Sequence, residues 1–319
     1  METKLVVIRE TSTEIVPVDR LKELISNGET VWLDILGKDP VEFAGLVEPF
    51  GFHPLSIEDA MEAVLRPKVE TFLNYVFLAV RTINHEAGER PHDTIGLKLF
   101  LGERFLVSVH RRPISSIAAV RERLPQLLRR SAHPSIILAG LCSDAIDYFD
   151  PVVRELEDRI EELEEASIQD PTVVAGEKLV NAQREVFLLR RAAGPVRDLL
   201  VTTLERANPL ISVESRVHLR DALDEIRRIT EALNGLRDLS IGALSMYQAA
   251  LDNQSNAIMK FLSIVATMTL PLTVITGFYG MNIAWLPFSG GHTSFFFVLF
   301  LMSLTLLALL LVFKRKHWL

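Results

Sequence analysis

The sequence predicts an α/β domain, then long antiparallel and stalk helices, then a two-helix transmembrane domain. Three observations carry this reading. No Asp, Glu, Lys or Arg occurs in the 53 positions between Lys260 and Lys314, whereas the rest of the 319-residue chain is densely charged. Up to about residue 115, short β-rich stretches alternate with helical patterns. Beyond that point strand signals vanish, and apolar residues recur at steps of three and four.

In the α/β domain (residues 1–115, expected in the cytoplasm) the strand candidates are KLVVIRE, TVWLDIL, YVFLAVRTI and TIGLKLFLGERFLVSVH. Gly102 and Glu103 mark a hairpin turn inside the last of these. PVEFAGLVEPFG and SIEDAMEAV read as helices. His53 precedes Pro54 and reads as a structural residue rather than a catalytic base.

Residues 116–210 read as helical. DPVVRELEDRIEELEE, residues 150–165, holds eight acids against two arginines, and the following EKLVNAQREVFLLRR is net basic. Asp170-Pro171 breaks the chain between them, so two antiparallel helices of opposite charge are expected. From Ile211 to Leu270 there is no proline, and Leu219, Leu223, Ile226, Ile229, Leu233, Leu236 and Leu239 form an apolar seam. A stalk helix over 211–260 is expected to continue into the membrane, about 90 Å in all, with its seam suited to self-association.

The apolar runs 261–279 and 295–313 have 19 residues each, which at 1.5 Å per residue is about 28 Å and enough to span. The first transmembrane helix is expected over 261–282, an external loop over 283–294, the second helix over 295–313 and a basic tail over 314–319. Pro271 is tolerable if Thr267 or Thr269 rescues the carbonyl it frees. The loop carries no Lys or Arg while Lys260 and KRKHWL flank the spans, so both termini are expected in the cytoplasm.

A formal net charge of −7 argues against a nucleic-acid partner and for small cations. The single cysteine, Cys142, has no intrachain disulfide partner, and the opening METKLVVIRETSTEIV has too short an apolar stretch for a signal peptide.

Within the first span Leu262, Ala266, Leu270, Thr273 and Gly277 share one narrow, neutral helix face. Repeated around an axis, two leucine rings would constrict a pore that gates by dewetting; the same spacing also serves plain helix packing. The run closes in TGFYGMN, where Gly280 and Asn282 also read as a helix C-cap.

Tyr279-Gly280-Met281-Asn282 after PLTVITG, the two terminal spans and the closing KRKHWL resemble the CorA magnesium-transporter family. GFHPLSIEDAMEAVLRPKVETFLNYVFLAV resembles its soluble signature, and the likeness covers essentially the whole chain. The resemblance implies a funnel-shaped homopentamer in the cytoplasmic (inner) membrane that passes Mg²⁺, with Co²⁺ or Ni²⁺ as further cargo, and closes on intracellular Mg²⁺. It implies a selectivity filter at Gly280, Met281 and Asn282, pore-lining positions at Asn256, Leu262, Ala266, Leu270, Thr273 and Gly277, and regulatory acids at Asp59, Asp221 and Glu58. Mg²⁺ sheds water reluctantly, so neutral carboxamides can accept hydrogen bonds from its water shell without trapping it.

The sequence departs from the family pattern in three places. Cys142 stands where the acidic partner of Glu58 is expected, with Asp144 two residues on; Ser245 replaces an acidic stalk ring; and the loop keeps Leu286-Pro287 but lacks the acid that follows. Two rival readings are a Zn²⁺ transporter of the ZntB-like branch, for which His292 is the one Cys or His in the loop, and a membrane-anchored scaffold that transports nothing. An enzyme is not expected, since there is neither a P-loop nor HxxxH or HxH spacing, and no organic cofactor is implied. The partners expected are further copies of the chain, divalent cations and the lipid bilayer.

Overall fold

The computed structural model describes residues 2–9, 13–37, 39–62, 66–83, 94–129, 131–169, 173–205, 208–281, 292–316 and 318, with backbone alone at 168–169, 173–175 and 292–294. The chain divides into two compact units. The first comprises Met1–Ala166 and Thr172–Leu244, the second Ser167–Pro171 and Ser245–Leu319.

The first unit is built on a seven-stranded sheet with helices on both faces. In chain order it contains β1 (Glu2–Ile8), β2 (Thr13–Val16), α1 (Leu21–Ser26), β3 (Thr30–Leu36), α2 (Pro40–Val47), α3 (Pro54–Met61), β4 (Lys68–Thr71), β5 (Tyr75–Ile83), β6 (Thr94–Gly102) and β7 (Phe105–His110). The strand order is β2-β1-β3-β7-β6-β5-β4, antiparallel throughout except for the parallel β3–β7 pair. The strands in TVWLDIL, YVFLAVRTI and TIGLKLFLGERFLVSVH form where the sequence predicts them; β2, α1 and β4 are additions. In the β6–β7 hairpin, Gly102 is needed for space, because a Cβ there would lie 2.2 Å from the Phe105 ring.

Apolar residues occupy both faces of the central strands. Leu5, Leu33, Ile35, Phe77, Phe100 and Val107 pack with Phe43, Val47 and Phe52 on one side, where Phe52 stacks on Phe100 at 4.2 Å between centroids. On the other side lie α4 (Ser115–Leu128), α5 (Ser135–Asp147) and α7 (Val173–Glu205). Asp34 is buried there, accepting hydrogen bonds from Ser108 at 2.6 Å and Arg121 at 2.6 Å. Burial raises its pKa, but the bonds and charges of His110, Ser108 and Arg121 outweigh that and hold it below the usual value.

Between α5 and α7 runs the acidic helix α6 (Phe149–Gln169). Arg159 on α6 meets Glu185 on α7 at 3.0 Å, and the two residues lie equally far along the chain from residue 172, as an antiparallel pair requires. The break at Asp170-Pro171 falls outside the described residues. Helix α8 (Val213–Tyr279) follows as one element of 67 residues, roughly 100 Å long, and α9 (His292–Arg315) closes the chain. Ser135 and Ser215 tie the start of α8 to that of α5 through hydroxyls 2.7 Å apart.

The leucine seam is not a free surface for self-association. Leu219, Leu223, Ile226, Ile229, Leu233 and Leu236 are each buried within the single chain, and Leu239 is half-buried. Their period of three and four reports packing inside the first unit, which periodicity alone does not distinguish from packing between copies.

Lys98 sits on the α3 side of the sheet with only 2% of its surface exposed and donates to the Glu62 carbonyl at 2.9 Å. Burial lowers its pKa to about 8, helped by Arg111 and Arg81 and opposed by Glu62. Below pH 8 the folded state bears the full cost of the buried charge. Between about 8 and the ordinary value of 10.5 it gives up the proton before the unfolded chain does, so stability rises with pH there, by at most about 3 kcal/mol. Replacement of Lys98 by Met is expected to flatten that rise, measured as melting temperature against pH through the fluorescence of the buried Trp32.

Candidate functional site

In the second unit, the face marked out by the sequence points away from the chain's own atoms. Leu262 is 58% and Leu270 68% exposed, and Ala266, Thr273 and Gly277 are exposed with them. Ile264, Met268, Leu272 and Ile275 are only partly exposed, each two residues beyond a member of that face, which is about 200° around the helix. Along α9 the less exposed residues recur as Phe297, Leu301, Thr305 and Leu309, and Tyr279 meets Phe297 at 6.3 Å between ring centroids. So α8 meets α9 at Tyr279 and, among the described residues, carries an exposed, uncharged side about 200° from its less exposed one. Every residue from Asp252 to Ser263, Asn256 included, is exposed.

The hydroxyls of Thr269 and Thr273 bond along the backbone of α8. Thr273 donates to the Thr269 carbonyl at 2.9 Å, and Thr269 donates to that of Val265 at 2.8 Å, not to that of Thr267, which Pro271 frees. At the end of α8, the Gly280 N–H donates to the Thr276 carbonyl at 2.8 Å. A Cβ on Gly280 would stand 2.9 Å from that same oxygen. The glycine is required by this close approach rather than by a left-handed turn, since its φ is not positive. Met281 is 53% exposed, and Asn282 lies outside the described residues.

The candidate regulatory acids lie in the first unit. Glu58 and Asp59 ride on α3, which is pinned at both ends. At its start the His53 ring accepts from the Leu55 N–H at 3.2 Å while the His53 N–H donates to the Tyr75 hydroxyl at 2.9 Å, which gives His53 its structural role. At its end Arg111 donates to the Met61 carbonyl at 2.7 Å and Lys98 to that of Glu62. Glu58 is exposed.

Asp59 is already paired. Lys68 on β4 donates to it at 2.6 Å and to Glu70 at 2.9 Å. Burial works against the Lys68 charge, but these bonds prevail and its pKa lies above the usual lysine value. A groove of about 670 Å³ opens beside them, lined by Leu55, Glu58, Asp59, Lys68, Glu70 and Phe72. Asp221 is exposed on α8, one turn before Glu225. Burial, then Asp144, Glu225 and Asp221, raise the pKa of Asp147 at the end of α5. Among the described residues, no group of three or more His, Cys, Asp or Glu is arranged to hold a metal within one chain. The donors at these positions are all oxygens, the chemistry that suits Mg²⁺.

Residues 27–315 match the family described as CorA-like Mg2+ transporter protein. The chain belongs to this CorA-like family. It is 29% identical to the cobalt/magnesium transport protein CorA of Thermotoga maritima, over 90% of this chain and 83% of that one. It is 31% identical to YfjQ of Bacillus subtilis, over 95% of this chain and 93% of that one. Its fold matches the complete structure of the CorA magnesium transporter from Methanocaldococcus jannaschii with a TM-score of 0.85 at 18% identity, covering 100% of this chain and 99% of that one.

The first departure from the CorA-like pattern, Cys142 with Asp144 nearby, has a clear structural outcome. Cys142 is fully buried in α5, and burial pushes its thiol up to about 12, so it stays protonated and offers no thiolate to a metal. Asp144 is held by a hydrogen-bonded ion pair to Arg123 through both carboxylate oxygens. Neither residue stands free as a partner for Glu58. Ser245 is exposed on α8; Leu286-Pro287 falls outside the described residues, as do the side-chain contacts of His292.

Lys68 was not singled out from the sequence. The signal was present in RPKVE, where alternation puts Lys68 and Glu70 on one face of a strand. Cys142 is expected to resist thiol reagents until the protein is denatured, as mass spectrometry of the labelled chain will show. In Gly280→Ala the methyl and the Thr276 carbonyl cannot both keep their places, so amide exchange at residues 280 and 281 is expected to speed up by at least about tenfold.

Proposed function

We propose that the chain forms a homopentameric channel in the cytoplasmic membrane through which Mg²⁺, and also Co²⁺ or Ni²⁺, enters the cell. One observation carries this reading: α8 presents an uncovered, uncharged stripe, Leu262 to Gly277, opposite its α9 side, in a chain of the CorA-like family. Five such stripes around an axis line a corridor, with α9 outside toward lipid. The two helices are long and apolar enough to cross a membrane. Lys260 and the basic tail favour both termini on the cytoplasmic side.

In this reading Gly280, Met281 and Asn282 form the outer filter. Mg²⁺ keeps its water shell, carboxamide and backbone oxygens accept hydrogen bonds from that shell, and the rings of Leu262 and Leu270 close the path by excluding water. Asn256 and Thr273 add polar rings. Thr273 spends its proton on the helix, which leaves oxygen lone pairs to face the shell.

Internal Mg²⁺ regulates the channel by bridging Asp59 of one copy and Asp221 of the next, with Glu58 close by. When the ion leaves, the copies separate more easily and the leucine rings widen. Loss of the ion does not leave two bare carboxylates, because Lys68 already compensates Asp59.

Purified protein in liposomes is expected to pass Mg²⁺, measured with a trapped Mg²⁺ indicator, and Asn282→Ala to cut the initial rate at least about tenfold. No flux from the wild type would favour a scaffold, and Zn²⁺ flux without Mg²⁺ flux would favour the ZntB-like reading. Asp221→Lys is expected to abolish inhibition by internal Mg²⁺; undiminished inhibition would remove Asp221 from the regulatory site.

A further inference from the structure

The cation partner that the structure gives Asp59 is the chain's own. Lys68 Nζ lies 2.6 Å from Asp59 Oδ2 and 2.9 Å from Glu70 Oε1. Its ammonium also lies 5.8 Å from the centroid of the Phe77 ring. The Lys68 and Asp59 side chains are 29% and 23% exposed, so the pair is screened less than an open surface ion pair. Both partners sit on fixed supports: β4 is paired to β5 through Lys68 and Ala79, and α3 is clamped at its two ends.

We propose that Lys68 is a built-in competitor for the divalent cation at Asp59, and that its displacement onto Glu70 sets the cation concentration at which the site fills. The proposal rests on Asp59 being a regulatory ligand and adds how that ligand is kept in reserve. A Mg²⁺ ion reaching Asp59, directly or through its water, meets a carboxylate whose charge is already satisfied. It binds only by taking Asp59 from the ammonium. Glu70 makes the exchange reversible, because Lys68 keeps one carboxylate when it yields the other and no charge is stranded. A site of bare acids would fill at low Mg²⁺ and stay full. One with a tethered ammonium fills only when the ion is abundant, which is what a sensor of cytoplasmic concentration needs.

The test is calorimetric titration of Mg²⁺ into the full-length protein in detergent, for wild type, Lys68→Met, Lys68→Arg and Asp59→Asn, with each variant's melting temperature taken without Mg²⁺. Lys68→Met is expected to lower the half-saturating Mg²⁺ concentration at least about threefold while Lys68→Arg stays near wild type. Should Lys68→Met fail to fold, Lys68→Gln takes its place with the same expectation. A lowered melting temperature with unchanged or weaker Mg²⁺ binding would make Lys68 a structural residue only and overturn the proposal. In that case loss of binding in Asp59→Asn would leave the regulatory reading of Asp59 standing. Wild-type binding in Asp59→Asn would bring down both.

Discussion

One helix has to satisfy two solvents, and most of this molecule follows from how α8 does it. Over Leu219 to Leu236 its apolar seam is buried within the single chain, the ordinary solution in water. From Asp252 on, that cover ends, and Ile258, Met259, Phe261 and Leu262 are more than half exposed. Water does not tolerate such a stretch, but lipid or further copies of the same helix do. The absence of Asp, Glu, Lys and Arg from Phe261 to Phe313 is the matching condition, since an ionised side chain against lipid costs several kcal/mol. A backbone able to carry both demands must be unbroken, and the 67-residue length of α8 is the result.

The first unit solves a different problem, the fixing of a short helix. Eight residues of α3 do not hold themselves, because nucleation is unfavourable at that length. His53, Ser56 and Tyr75 satisfy its start, with Ser56 and Tyr75 hydroxyls 2.8 Å apart. Arg111 and Lys98 place two positive charges where its carbonyls point. Burying Lys98 costs stability at neutral pH, and the same ammonium fixes the helix end next to Glu58 and Asp59. The acids are thereby presented on a rigid element while the cation that holds Asp59 comes from an edge strand.

Much of this was legible in the sequence, and the parts that were not share a cause. Tyr75–Ile83 is a run of β-formers without a breaker, and Gly280 with Asn282 two residues on marks the end of the first apolar run after Tyr279. β2 and β4 are four-residue strands whose charged and polar residues dilute the alternation that marks a strand. The seam of α8 was visible but its partner was not, because a helical period says which face is covered and never by what. Gly280 was legible as a glycine at a helix end, yet its reason, a carbonyl 2.9 Å from the missing Cβ, exists only in three dimensions. Pairing of Lys68 with Asp59 joins residues nine apart in sequence and needed the geometry of β4 against α3. Asn282, central to the reading, stays a sequence argument because it lies outside the described residues.

Why the acids sit where they do then has a physical answer. Conduction and sensing make opposite demands on the same ion. A path must release Mg²⁺ quickly, and a ring of carboxylates around a divalent cation in a low-dielectric corridor would hold it by many times the thermal energy. A sensor must keep Mg²⁺ long enough for its occupancy to follow concentration, which calls for carboxylates. On the proposed reading the chain separates the two by region: no carboxylate lies between Phe261 and Phe313, and Glu58, Asp59 and Asp221 all belong to the first unit. On the same proposal tuning falls to Lys68, which already holds Asp59, since the affinity of such a site is set by what the ion has to displace as much as by what it binds. In that reading a path without charge and a sensor with its own counter-ion are two outcomes of one constraint, that Mg²⁺ gives up water only for ligands it will not readily leave.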